Sequence, residues 1–113
     1  MEDNKELWAK ILNFISVNFN KKPDMNAVLF IIGMRELGYI ETREFKKDEK
    51  VNLMHIAMCK ILSYSGHYEL KGMDQDGWPH WELIKKLPNM DIFEQETYIR
   101  THIIEYFIRE EII

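Results

Sequence analysis

Apolar residues recur along the chain with two different periods, and the change between them falls near residue 67. Leu7, Trp8, Ile11, Leu12, Phe14, Ile15 and Phe19 gather in one broad stripe at 100° per residue, with Lys5, Lys10, Asn13 and Asn20 opposite, which predicts an amphipathic helix over about 4–19. Asp3 followed by Glu6 gives it a capping-box start. The run Asn20-Lys21-Lys22-Pro23-Asp24 breaks it, and Asp24 is placed to cap a second helix over about 25–37, closed by Gly38. In that helix Val28, Leu29, Phe30, Ile31, Ile32 and Met34 point in every direction, so protein must surround it. Gly33 in its middle costs about 1 kcal/mol against Ala and implies that a neighbouring element comes close there.

After a loop over 39–45, a third helix is expected over about 48–65, its start falling within Lys46 to Asp48 and its end at Ser65-Gly66. Val51, Met54, Met58, Ile61 and Leu62 form one stripe and Leu53, Ile56, Ala57 and Tyr64 a second, which implies contact on two sides. The period then drops to two. Tyr68 to Met73 and Trp78 to Ile84 flank Asp76-Gly77, a two-residue hairpin signal whose register would set Gly72 opposite Trp81, Lys71 opposite Glu82 and Leu70 opposite Leu83. Tyr68, Leu70, Trp81 and Leu83 would then face the helices, and Glu69, Lys71, Met73, Trp78, His80 and Glu82 water. Pro79, with no N–H, belongs on an edge. Following the linker 85–89, Asp91 with Glu94 caps a last helix over about 92–111, with Ile92, Ile99, Ile103 and Tyr106 as its core stripe. The expected architecture is α+β and mainly helical, a single domain over 1–113 of four helices with one β-hairpin inserted before the last helix.

Composition narrows the class without naming an activity. At 46% hydrophobic and 30% charged residues, the 113-residue chain has the make-up of a globular domain rather than a disordered or collagen-like one. One cysteine, Cys59, cannot form a disulfide within the chain, which predicts a reducing, cytoplasmic setting. The acidic start Met1 to Glu6 does not read as a secretory signal, and the longest apolar stretch, Ala27 to Met34, is too short to cross a membrane. A formal charge of −4 argues against nucleic acid.

The string Leu53-Met54-His55-Ile56-Ala57-Met58-Cys59-Lys60, with Gly66-His67-Tyr68-Glu69-Leu70 and Asp74-Gln75-Asp76-Gly77-Trp78-Pro79-His80, resembles an uncharacterised family of short bacterial proteins over most of the chain from Val28. That resemblance implies a bacterial cytoplasmic protein and supplies no catalytic residue.

Candidate chemistry is sparse. Aligning Gly77 with the glycine of a calcium loop puts Gly72 and Leu83 where the essential carboxylates belong, so Asp74-Gln75-Asp76-Gly77 reads as a turn. His55 and Cys59, four apart on one helix face, are weak candidates for two zinc ligands, whereas His67, His80 and His102 belong to no ligand-spaced pair. Cys59 lies mid-helix in an apolar segment that raises a thiol pKa, the wrong setting for a nucleophile. The carboxylates Glu69 with Glu82 and Asp74 with Asp76 sit where water keeps them ordinary. Trp78 and Trp81 near Lys71, Lys85 and Lys86 have the make-up of a base-stacking platform, but Glu69, Asp74, Asp76 and Glu82 would repel phosphates. No catalytic residue and no cofactor is expected. The expectation is a non-enzymatic module that binds another protein through the hairpin tip, Asp74, Asp76, Trp78 and His80, and through Ile104, Ile108 and Ile112 of the last helix, which would also support a homodimer. The alternative is a small enzyme or zinc protein built on His55, Cys59 and another histidine such as His102.

Overall fold

The fold comes from a computed structural model that describes residues 3–19, 22–38 and 44–113. Asn20 and Lys21 of the first expected break, and residues 39–43 of the expected loop, lie outside them. Four helices, α1 (Asn4–Phe19), α2 (Met25–Glu36), α3 (Lys47–Leu62) and α4 (Ile92–Arg109), accompany an antiparallel hairpin, β1 (Tyr68–Met73) and β2 (Pro79–Leu83), placed before the last helix. The fold is therefore α+β and mainly helical. The chain groups into two compact units, residues 1–28 with 89–113, and residues 29–88.

Polar side chains start the helices where the sequence places them. Asp3 accepts from the Glu6 N–H at 2.9 Å, Asp24 from the Ala27 N–H at 2.8 Å and Asp91 from the Glu94 N–H at 2.8 Å, satisfying first-turn donors that have no partner within the helix. At α3 the Glu49 carboxylate instead reaches back to the Lys46 N–H at 3.0 Å. In the first unit Ile11 and Ile15 of α1 and Ile103, Tyr106 and Phe107 of α4 are buried, and Phe14 meets Phe107 edge-on with ring centres 6.1 Å apart. Ile92 departs from the expected α4 stripe. It lies in the first helical turn, 74% exposed, and the buried face starts ten residues later with His102.

In the second unit α2 and α3 pack backbone against side chain. A Cβ on Gly33 would lie 2.1 Å from the Leu53 carbonyl oxygen, so only glycine permits the approach that the sequence implied. Leu29 to Ile32 and Met34 are all buried, as all-round apolarity requires, and Phe30 meets Phe45 edge-on. On α3 the buried set is Leu53, Ile56, Ala57, Cys59, Ile61 and Leu62. Val51 is exposed, and Met54 and Met58 are only half-buried, so the first of its two expected stripes opens at its N-terminal end.

The hairpin differs from expectation in register. Leu70 pairs with Trp81, Glu69 with Glu82 and Tyr68 with Leu83, while beyond a bulge at Lys71 the pairs are Gly72 with His80 and Met73 with Pro79. The cause is the turn. Asp76 is not at positive φ, as a two-residue type I′ loop would demand; only Gly77 is, at 81°, and Asp74 closes a three-residue loop through the Trp78 carbonyl oxygen at 2.9 Å. The bulge then absorbs one further residue in β1. The apolar face is also less covered than expected: α3 contacts both strands, yet Leu70 and Leu83 stay 47% and 50% exposed.

Candidate functional site

The hairpin tip is built around one carboxylate. Asp74 Oδ1 accepts from the N–H groups of Asp76 and Trp78, each at 2.9 Å, and Oδ2 accepts from His80 Nε2 at 3.2 Å, which must donate because a carboxylate only accepts. The Trp78 N–H, then His80 and the Asp76 N–H, hold the Asp74 carboxyl below the usual carboxylate range. Asp74, Asp76 and His80 are exposed and Trp78 is half-buried, so the structure brings these four together on one loop. Behind them, Lys71 on the bulge reaches Glu82 at 3.1 Å and Glu69 at 3.4 Å, clamping two like charges that face each other across the strands. Glu82 first and Glu69 second raise the Lys71 pKa.

His67 secures the base of the same hairpin, a role its sequence context did not reveal. Its ring is buried; Nδ1 donates to the Lys85 carbonyl oxygen at 3.0 Å, and its own carbonyl accepts from the N–H groups of Ile84 and Lys85. Its N–H donates to Leu62 at the end of α3, and Lys85 Nζ donates to the Ser65 carbonyl oxygen at 2.6 Å. A histidine just past a helix stop satisfies the backbone of both neighbours. The one available signal was its position, directly after Gly66 and before the first strand residue.

His55 and Cys59 are adjacent as their spacing predicts, with Nε2 and Sγ 3.5 Å apart and the His55 ring edge-on to Tyr68. Burial pushes the Cys59 thiol up to about 11, so it is protonated at neutral pH and a poor nucleophile. His102 donates through Nδ1 to the Tyr98 carbonyl oxygen at 2.6 Å. Among the described residues no group of three or more His, Cys, Asp or Glu side chains is placed to hold a metal ion.

The last helix redistributes the second expected surface. Ile104 is 3% exposed, because its turn belongs to the buried face with Ile103 and Phe107, while Ile108 is exposed and Ile112 half-buried. The three do not form one open strip. The open apolar surface lies at the other end of α4, where Phe93 is 77% exposed on an open groove of about 490 Å³ lined also by Met90, Glu94, Thr97, Tyr98, Thr101 and His102. No helix among the described residues is long and apolar enough to cross a membrane. No protein family, curated protein or solved structure matches the chain.

Proposed function

We propose that this protein is a non-enzymatic binding module whose hairpin tip, Asp74, Asp76, Trp78 and His80, engages another protein. The observation that carries the reading is the Asp74 carboxylate, whose three hydrogen bonds fix the loop that presents Trp78 and His80. A loop already held in one conformation loses little entropy when a partner docks, and tryptophan is enriched among residues that dominate binding energy. Exposed Leu70, Met73 and Leu83 extend the apolar area along the strands, while the bulge at Lys71 and Pro79 in β2 blunt the edges against indiscriminate strand pairing. Partner recognition therefore falls to the tip and the faces. The lone thiol Cys59 supports a reducing, cytoplasmic setting.

The test is recovery of cross-linked partners with the wild-type chain, with Trp78→Ala and with Met73→Asp, each checked for native helicity. A partner recovered in equimolar amount by wild type and lost by both variants supports the reading. Equal recovery by all three removes the hairpin as the binding element.

A further inference from the structure

We propose that Asp76-Gly77 at the hairpin tip is a site of spontaneous covalent modification, where the aspartyl linkage isomerises to an isoaspartyl one at a pace set by the Asp74 carboxylate. The reaction needs an aspartyl Cγ within reach of the next residue's backbone nitrogen, and glycine in that next place offers the least steric resistance and the widest backbone freedom. Asp76 is the only Asp or Asn in the chain that a glycine follows. Asn13, Asn18 and Asn52 lie inside α1 and α3, where helical hydrogen bonds hold the following N–H, and Asp24 and Asp91 use their carboxylates as helix caps. Asp76 is exposed on a turn, and no hydrogen bond or ion pair among the described residues ties down its carboxylate.

The chemistry needs no reactant besides water. The Gly77 nitrogen attacks the protonated Asp76 carboxyl at Cγ, the N–Cγ bond forms, and the nitrogen's proton leaves with the carboxyl hydroxyl as water, closing a succinimide. Water then adds back. Added at Cγ it restores Asp76; added at the backbone carbonyl carbon it breaks the original peptide bond, so the chain runs through Cβ and Cγ and the former backbone carbonyl becomes a free carboxylate. Nothing is oxidised or reduced. The Gly77 N–H donates to the Asp74 carbonyl oxygen at 3.1 Å, and Asp74 Oδ1 holds the N–H groups of Asp76 and Trp78 on either side of it, each at 2.9 Å. The nitrogen must leave that carbonyl and swing toward Cγ, so attack proceeds from an opened loop, and the bonds that Asp74 makes lower the open population. The product does not fit the closed form, because a methylene added between residues 76 and 77 overfills a three-residue loop closed by the Asp74 N–H on the Trp78 carbonyl oxygen at 2.9 Å. Isomerisation therefore undoes the fastening of the tip, whether or not the tip binds a partner.

The test is prolonged incubation of the full folded chain in neutral buffer made with ¹⁸O-enriched water, followed by peptide mapping, since each succinimide that reopens takes up one heavy oxygen atom. The expected result is label and an isoaspartyl form at residue 76, ahead of every other aspartate. Both should accumulate about fivefold faster in Asp74→Ala, the factor that about 1 kcal/mol of lost hydrogen bonding gives. Asp76→Glu keeps the charge at an exposed site but must close a larger ring, so residue 76 should take up no label in that variant. Native helicity in all three proteins separates opening of the loop from unfolding. A second readout is methyl transfer from S-adenosylmethionine by an isoaspartyl methyltransferase, expected on aged wild type and not on aged Asp76→Glu. Wild-type label at residue 76 no greater than at Asp3 or Asp74 would overturn the proposal. Equal rates in wild type and Asp74→Ala, or undiminished label at residue 76 in Asp76→Glu, would overturn it as well.

Discussion

Within residues 29–88 two regions are held by opposite means. Where α2 meets α3, a missing side chain does the work: Gly33 lets the Leu53 backbone close in, and the surrounding residues are apolar and buried. In the hairpin most residues are exposed, and polar fastenings hold the strands, Asp74 at the tip, the Lys71 ion cluster midway and His67 at the base. Burial secures the first region, and local hydrogen bonds shape the second. That difference leaves the hairpin's apolar side chains Leu70, Met73 and Leu83 open to solvent while those between the helices are buried.

The sharpest way to break the comparison is to fill the α2–α3 contact. Gly33→Ala sets a methyl against backbone that cannot yield, and the expected cost is about 3 kcal/mol or more, read as a fall in Tm of at least about 10 °C. A Tm within a degree or two of wild type would show that the helices are not in backbone contact. His67→Ala is expected to cost less, about 2 kcal/mol, by orphaning the Lys85 carbonyl and opening a void. Its signature is local: amide exchange should accelerate over residues 68–84 far more than over α2.

Smaller effects separate the two regions by pH. Because burial raises the Cys59 pKa from 9.0 to about 11, the folded state favours the neutral thiol, and that contribution is present below pH 9 and lost as pH rises toward 11. Alkaline denaturation should therefore be shallower in Cys59→Ala over that interval. The smallest effect belongs to Asp74, whose lowered pKa means the tip is stabilised above the ordinary carboxylate range and loosens as pH falls through the lower folded value. An acid titration followed at the Trp78 amide proton should show this loosening with α2 and α3 unchanged, and an indifferent Trp78 amide would remove Asp74 as the fastener.

Most of the helical frame was legible because it rests on local rules. Asp3, Asp24 and Asp91 cap helices within three residues of themselves, and the all-round apolarity of Val28 to Met34 states its own burial. Gly33 was legible as a close approach, though not against which atom. The register was misread because Asp-Gly suits both two- and three-residue turns, and the choice lay with the Asp74 carboxylate bonding Asp76 and Trp78. The tip residues were recognisable as a group from their types, whereas His67 bonds to a residue 18 positions away and leaves no periodic trace. Ile104 was misplaced on an open strip because α4 is wide in apolar residues and only packing decides which side is covered.

The most direct test of the account is backbone ¹⁵N relaxation across residues 73–80 in the wild type and in Asp74→Ala. A tip fixed by Asp74 predicts order parameters near about 0.85 in the wild type, like those of α3, falling below about 0.6 in the variant while α2 and α3 keep theirs. Values already below about 0.6 in the wild-type tip, or unchanged in Asp74→Ala, would contradict it.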